Sequence, residues 1–181
     1  MLRSAFVVLL LLALPGLGAE RASRARVSAN GAFSVRMVEK DNHQCTLEMS
    51  KESGPVWTIN RCVGGVDDLY FAASDGERVW VLYPLAPKGT VKPPGKKAKK
   101  LPEWSNTTVA VEYDRRGRRV QERSLLDFVG PKELSEVRQL GEHLKWLEGQ
   151  LGVPGKGPRL TDDGRVEFET LGGSKTHQLK F

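Results

Sequence analysis

The residues with the clearest capacity for chemistry are six lysines that lie close together in the chain: Lys88, Lys92, Lys96, Lys97, Lys99 and Lys100. No acid lies among them, so their ammonium groups would create a positive field that attracts polyanions such as nucleic acid, anionic polysaccharide or lipid headgroups. The same composition also suits a solubilising loop that is accessible to proteases. Both interpretations stay open. No aromatic side chain lies within the cluster to stack on bases, so a preference for nucleic acid is not indicated.

Two cysteines, Cys45 and Cys62, are the only ones in the chain. In a protein that leaves the reducing compartment a disulfide is the usual state of such a pair. The chain-entropy model gives a loop of this size about 3 kcal/mol of stabilisation. The sequence therefore predicts a structural disulfide, with two free buried thiols as the alternative.

The strand register around the cysteines poses a conflict. If the hairpin turn lies at Ser53-Gly54, the two cysteines fall directly opposite each other. Matching the apolar faces of the strands would instead pair Leu47 with Ile59 and Met49 with Trp57, which moves the second cysteine to the other face. A bulge near Asn60-Arg61 would satisfy both demands.

Motifs for metal binding and nucleophilic catalysis are missing from the sequence. No His-x-x-x-His or His-Glu-x-x-His pattern contains any of the three histidines, His43, His143 and His177, and there is no Gly-x-Ser-x-Gly. Gly172 to Lys175 has a superficial likeness to a phosphate loop but precedes a strand, so a hairpin turn is predicted. The acidic groups Asp67-Asp68 and Asp162-Asp163 lack the alternating ligands of a calcium loop. We therefore predict no catalytic residue, metal site or cofactor, although a site could still be assembled in three dimensions.

Residues 1–19 have the order of parts that is typical of a signal peptide. Arg3 supplies the charge, Ala5 to Leu14 form the apolar run, and small residues end at Ala19. The apolar run is about ten residues, whereas a helix needs about 20 to cross a bilayer. Cleavage after Ala19 and export to a periplasm or the medium are predicted, with an uncleaved membrane anchor as the alternative. Without the signal peptide the net charge is +5, and without the six lysines it is −1, so the basic character is local.

The remaining chain predicts a series of β-hairpins. Residues 20–30 are interpreted as a flexible leader or a loosely attached first strand, and residues 31–181 as one β-rich domain. Asp75-Gly76 lies between apolar runs, which is a strong hairpin signal, and a two-residue turn there sets Phe71 opposite Trp80 and Leu69 opposite Leu82. Both faces of the second strand are apolar, so it should lie at the centre of the core.

Two segments, Asp68 to Pro84 and Val109 to Phe128, share the form of two strands joined by an aspartate- and glycine-containing turn. This form resembles the paired strands of β-propeller-type repeats in uncharacterised bacterial secreted proteins. The resemblance implies a meander of antiparallel strands. It implies no activity and carries over no functional residue.

A helix is predicted from Pro131 to Gln150, because apolar residues recur there at spacings of three and four: Leu134, Val137, Leu140, Leu144, Leu147 and Leu151. Residues 84–102, rich in proline and lysine, are predicted to be a disordered loop. The expected fold class is α+β and mainly β, with an antiparallel β-meander and one amphipathic helix packed on a face.

Three functional hypotheses follow. The first is an exported, non-catalytic β-rich domain that binds another protein or an envelope component. The second is a polyanion or envelope-surface binder that acts through the segment Lys88 to Lys100, whose binding would weaken as salt rises. The third is an exported enzyme whose site the sequence conceals.

Overall fold

The computed structural model describes residues 20–40, 42–89, 101–149, 157–173 and 175–181. In these ranges fifteen short strands form four antiparallel sheets. The strands are β1 Arg21–Ala22, β2 Arg26–Val27, β3 Ser34–Glu39, β4 Cys45–Lys51, β5 Gly54–Ile59, β6 Leu69–Ala72, β7 Arg78–Leu82, β8 Leu85–Pro87, β9 Thr108–Asp114, β10 Arg119–Ser124, β11 Arg138–Leu140, β12 His143–Lys145, β13 Arg159–Leu160, β14 Val166–Glu169 and β15 Thr176–Leu179.

The four sheets follow the order of the chain with one exception. Sheet I contains β1 to β5, and sheet II has the order β10-β9-β7-β6. Sheet III has the order β11-β12-β8, so β8 leaves the chain order to pair with a later hairpin, and sheet IV contains β13 to β15. The mainly β, antiparallel architecture predicted from the sequence is confirmed.

Sheet II lies at the centre because both of its faces are apolar. The β7 residues Val79 and Val81 contribute to one core cluster, together with β3 and β4 of sheet I. Trp80 and Leu82, which alternate with them, contribute to the other cluster, together with residues of sheets III and IV. All four side chains are fully buried, so the prediction of a central β7 is confirmed.

The hairpin registers predicted from the sequence are present. Across β6 and β7, Phe71 lies opposite Trp80 and Leu69 opposite Leu82. Sheet I has Leu47 opposite Ile59, as expected from matching apolar faces. The first register follows from the two-residue turn at Asp75-Gly76, and the second is the one that matches the apolar faces of the two strands.

The disulfide between Cys45 and Cys62 is also present, with the two Cα atoms 4.7 Å apart. β5 ends at Ile59, and the N–H of Arg61 donates to the Ile59 carbonyl across a three-residue turn (3.0 Å). This turn takes the place of the bulge that was expected after Ile59. It lets the apolar register and the disulfide coexist.

The helix predicted from Pro131 to Gln150 is wrong. In its place the described residues form a 3₁₀ turn, Glu133–Glu136, and the hairpin of β11 and β12. Gly141 is the first residue of the two-residue turn in that hairpin and has φ +59°. Tight hairpin turns require a positive φ at this position, and glycine adopts it without steric cost. The leucine spacing of three and four arose by coincidence from two strands and a turn. Leu144 is fully buried while Leu140 is half exposed, which one helical stripe would not produce.

Three further segments can be compared with their predictions. Residues 21–22 and 26–27, in the predicted leader, pair with β3 as β1 and β2. Leu85–Pro87, in the predicted disordered loop, form β8, whereas residues 90–100 lie outside the described residues, as does the predicted signal peptide, 1–19. In the part of the chain that is described, no helix is long and apolar enough to cross a membrane.

Candidate functional site

Of the six lysines predicted to bind anions, the structure describes one, Lys88. Lys88 follows the last residue of β8, and its backbone N–H donates to the carbonyl of Glu142 at 2.8 Å. This bond extends the pairing of β8 with the neighbouring hairpin. The other five lysines lie outside the described residues: Lys92, Lys96, Lys97, Lys99 and Lys100. Anion binding by the cluster stays a prediction.

The histidines and acidic pairs do not gather into a site. Among the described residues no group of three His, Cys, Asp or Glu side chains could hold a metal ion. Asp68 Oδ2 accepts the N–H of Gly65 at 2.7 Å, and burial raises the pKa of this carboxyl to about 6. Asp163 is ion-paired with Arg165. Both carboxylates therefore stabilise loops, as turn chemistry predicts.

A different feature has the form of a binding site: an apolar cavity of about 290 Å³ between sheets I, II and IV. Its apolar lining comes from Val27, Phe71, Pro158 and Leu160. Val27 belongs to β2, Phe71 to β6 and Leu160 to β13, so three sheets contribute to the cavity. Val27 is more than half exposed, at 57 %.

A second apolar cavity, of about 450 Å³, lies against the first. Its lining includes Leu69 and Leu147, which are buried, and Leu85 and Leu140, which are exposed. Leu85 comes from β8 and Leu140 from β11, the two outer strands of sheet III.

The two cavities form a continuous surface, which we call the apolar basin. Pro158 lines both of them. Leu69 and Phe71 lie two residues apart on β6 and belong to the same core cluster, so their side chains are about 7 Å apart along the strand. The apolar basin consists of Val27, Leu69, Phe71, Pro84, Leu85, Leu140, Leu147, Pro158 and Leu160.

Two buried serines fix the chain segment that crosses one end of the basin. Ser23 exchanges hydrogen bonds with Met37 of β3: its N–H donates to the Met37 carbonyl, and its hydroxyl accepts the Met37 N–H. Ser28 does the same with Phe33. Residues 24–27 are therefore held between two anchors along β3, which presents their side chains at the cavity.

Two arginines, Arg24 and Arg26, line the cavity at the Phe71 end of the basin. The guanidinium of Arg26 lies over the Phe71 ring at 4.7 Å from its centroid, a cation–π contact. Burial, and then the charge of Arg24, lower the pKa of Arg26 to about 10. Within the described residues neither Arg24 nor Arg26 has a carboxylate partner for its side chain. These two positive charges stand next to each other without compensation.

The charges of Arg159 and Asp67 at the basin are paired. The Nε and Nη2 atoms of Arg159 both donate to Glu167 Oε2, at 3.2 and 2.8 Å. Asp67 lies 3.8 Å from Arg21. Lys145, at the second cavity, also has no carboxylate partner within the described residues, so the Phe71 end differs in having two unpaired cations side by side.

A second polar region lies on the same face of sheet II, and its charges are all satisfied. Glu112 of β9 is fully buried. Its two oxygens accept hydrogen bonds from Arg78 (3.2 Å) and Gln121 (2.9 Å), and Gln121 in turn accepts one from Arg123 (2.7 Å). Burial raises the pKa of Glu112, although Arg78 and Gln121 oppose that shift. We call these four residues the Glu112 network.

Sequence reasoning missed the apolar basin. Its residues come from five separated segments, and the leucines at 140 and 147 had been assigned to a helical stripe. No spacing rule joins such segments. The available signal was local: Leu140 precedes a glycine and Leu85 follows a proline, which are turn features that break both periodic patterns.

Comparison with protein-family models, curated proteins and solved structures finds no match for this chain. No functional residue is carried over from a relative. The basin and its charges must be interpreted from their own chemistry.

Proposed function

We propose that this chain is an exported, non-catalytic binding protein that holds a protein or other envelope component against the apolar basin. One observation carries this proposal. Of the five large hydrophobic side chains that are exposed in the described residues, three lie on the basin: Val27, Leu85 and Leu140. Exposed apolar residues are common singly, but when they gather around a concavity they are typical of a binding surface.

The form of the basin supports the proposal further. Its floor is made by buried residues of sheet II, including Leu69 and Phe71, which the core holds in place. Because these side chains are already ordered, binding loses less conformational entropy. Charged groups, such as Arg26 and Lys145, stand at its margin, where they would orient a partner.

Export is supported by two features. The first 19 residues have the pattern of a signal peptide, and the chain contains the disulfide between Cys45 and Cys62. Disulfides persist in oxidising compartments and are rare in the cytosol.

The test uses exposed hydrophobic residues inside and outside the basin. The purified chain is titrated with dodecyl maltoside, a neutral amphiphile, while backbone amide shifts are recorded. We expect shifts that cluster at the basin and are lost in the double variant Leu85→Ser/Leu140→Ser. The control variant Val56→Ser/Val120→Ser changes two equally exposed side chains elsewhere and should keep the response. Scattered shifts, or equal losses in both variants, would contradict the proposal.

A polyanion-binding role for the segment Lys88 to Lys100 is the second candidate. The observation that favours it is the position of β8. This strand carries Leu85 of the basin at one end, and Lys88 follows its other end. The lysine cluster therefore starts about 10 Å along the strand from the basin.

A further inference from the structure

We propose that the Phe71 end of the basin binds a long-chain carboxylate, with its anionic head on Arg24 and Arg26 and its apolar chain across Pro158 onto the leucines. This inference rests on the proposed function, because it assumes that the basin is a binding surface. It adds the chemical class of the ligand. Four observations support it.

The first observation is the missing counter-ion. In the described residues no carboxylate pairs with Arg24 or Arg26. Outside those residues the sequence contains one acid, Asp41. Within the ranges that the structure describes, both charges are therefore left for a molecule from outside.

The second observation is the proximity of the two guanidinium groups. Arg24 and Arg26 both line the cavity of about 290 Å³, and the charge of Arg24 acts on Arg26. Each guanidinium offers a planar set of donors that matches the two oxygens of a carboxylate. An anion bound between them would relieve their mutual repulsion, and the apolar surroundings would strengthen the attraction.

The third observation is the apolar surface next to the cations. A small inorganic anion would leave the exposed Val27 and the half-buried Leu160 uncovered. A molecule whose apolar part continues from the charged head would cover them, and burial of each methylene contributes about 0.8 kcal/mol.

The fourth observation is the direction in which the apolar surface continues. From Phe71 it passes Leu69 and Pro158 to the cavity of about 450 Å³ that is lined by leucines. The adjacent pair of arginines stands at one end, and at the other lies the larger apolar cavity, where Lys145 and Asp67 stand singly at the margin. This polarity matches a molecule with one anionic end and one linear apolar chain.

The experiment compares ligands that share a chain but differ in the head. Dodecanoate, dodecyl maltoside and acetate are titrated by calorimetry into the full exported chain at low and at high salt. The two dodecyl compounds are kept below their critical micelle concentrations. We expect dodecanoate to bind most tightly and to weaken as salt rises, dodecyl maltoside to bind at least about tenfold more weakly, and acetate not to bind.

The arginine variants test the head site. Arg24→Gln/Arg26→Gln should weaken dodecanoate at least about tenfold and leave dodecyl maltoside unchanged. The control Arg36→Gln/Arg119→Gln removes the same net charge from arginines that are paired with Glu48 and Glu122. It should bind dodecanoate like the wild type. If the double variant at 24 and 26 does not fold, the single variant Arg24→Gln and the salt series test whether the arginines bind the carboxylate head.

The outcomes separate this inference from the proposed function. Equal affinity for dodecanoate and dodecyl maltoside, unaffected by the arginine variants, would overturn the anionic site and leave the basin as a binding surface. If neither amphiphile shifts the amides of the basin, the proposed function itself fails. Sedimentation with phosphatidylglycerol vesicles, without binding of free dodecanoate, would also overturn the inference, because the occupant would then be a membrane surface.

Discussion

The apolar basin and the Glu112 network lie on the same side of the central sheet but differ in whether their charged side chains have partners. In the network a fully buried carboxylate is held by Arg78 and Gln121. In the basin Arg24 and Arg26 have no carboxylate partner within the described residues. A buried charge is tolerated when its partners are present, whereas an unpaired charge beside apolar surface is costly. The network therefore serves the fold, whereas the unpaired arginines of the basin are what the proposed ligand site requires.

A third set of residues shows what burial contributes. Glu167 repeats the arrangement of Glu112: it accepts hydrogen bonds from Arg159 and Gln178, and Gln178 accepts one from Arg165. Glu167 is more exposed, however. Its hydrogen bonds with Arg159 and Gln178 lower the pKa of Glu167, whereas burial raises that of Glu112. The same residue types therefore give opposite shifts, and solvent exposure decides the sign.

The largest expected effect comes from breaking the Glu112 network. Arg78→Gln leaves a buried carboxylate without its main cation, which typically costs about 3–5 kcal/mol. The matched variant Arg26→Gln removes a cation whose described partner is the Phe71 ring, and it should change the free energy of unfolding by about 1 kcal/mol. Urea denaturation of both variants measures the difference. Equal losses would mean that Arg26 has a structural partner that the comparison overlooks.

The pH dependence of the same variant follows from the raised pKa of Glu112. Stability from this group is fully present below its ordinary pKa and is lost as pH rises through the raised value, because the unfolded chain then ionises more readily. Arg78→Gln should raise this pKa further. We therefore expect the destabilisation by Arg78→Gln to be larger near about pH 7 than near about pH 4.5. A deficit that is constant over this range would show that the Glu112 charge is not its cause.

The disulfide provides a change in stability that touches neither region. Cys62→Ser removes the bond to Cys45 and should cost about 3 kcal/mol, since the unfolded chain regains loop entropy. Thermal unfolding with and without reductant checks this value. Binding of dodecanoate by the folded variant should stay at the wild-type level. A loss of binding would mean that general stability, and not the local charges, governs the basin.

A smaller effect is expected at His177, which packs against the rings of Phe128 and Phe168. Burial, together with Lys175, lowers the pKa of this imidazole, while Glu133 opposes the shift. The unfolded chain then binds the proton more readily, so stability is lost as pH falls through the ordinary value of about 6.5 toward the lowered one. Replacing the side chain, His177→Phe, should flatten the stability profile between about pH 7 and pH 5. An unchanged slope would indicate that other groups produce it.

The smallest effect on the fold is expected from the lysine segment. Replacing residues 90–100 by a glycine-serine linker of equal length should leave the melting temperature unchanged, because the segment offers little to bury. Dodecanoate binding should also be unchanged. Retention on heparin at low and high salt then tests the polyanion hypothesis. Equal, weak retention of both proteins would exclude that hypothesis, and a collapsed fold would show that the segment is structural.

The sequence was most informative where neighbouring residues interact. The pairing of Phe71 with Trp80 follows from one Asp-Gly turn, and the pairing of Leu47 with Ile59 is, of the two registers left open, the one that matches the apolar faces. The disulfide was predicted from the cysteine count and the N-terminal pattern. All of these depend on short spacings and on strong local rules, so tertiary contacts did not have to be known.

The same local reasoning failed between residues 131 and 150. A leucine stripe with helical spacing also arises from two strands and a turn, and the helix hypothesis ignored the cost of a glycine inside a helix, about 1 kcal/mol. β12 pairs with β8, more than 50 residues earlier in the chain. That long-range pairing gives Leu144 a buried position and Leu140 an exposed one, and no local pattern contains it.

By itself, then, the sequence determined that the chain is β-rich and antiparallel and which residues face each other across the Asp75-Gly76 turn, and it favoured the disulfide. Only the tertiary structure decided which charges have partners. Arg78 and Arg26 are the same residue type, and each is followed by a valine, yet one meets Glu112 across β7 and β9 and the other meets Phe71 at a sheet edge. Partners of this kind are brought together by packing between segments that are distant in the chain, so the difference between a structural arginine and one available to a ligand is absent from any local pattern.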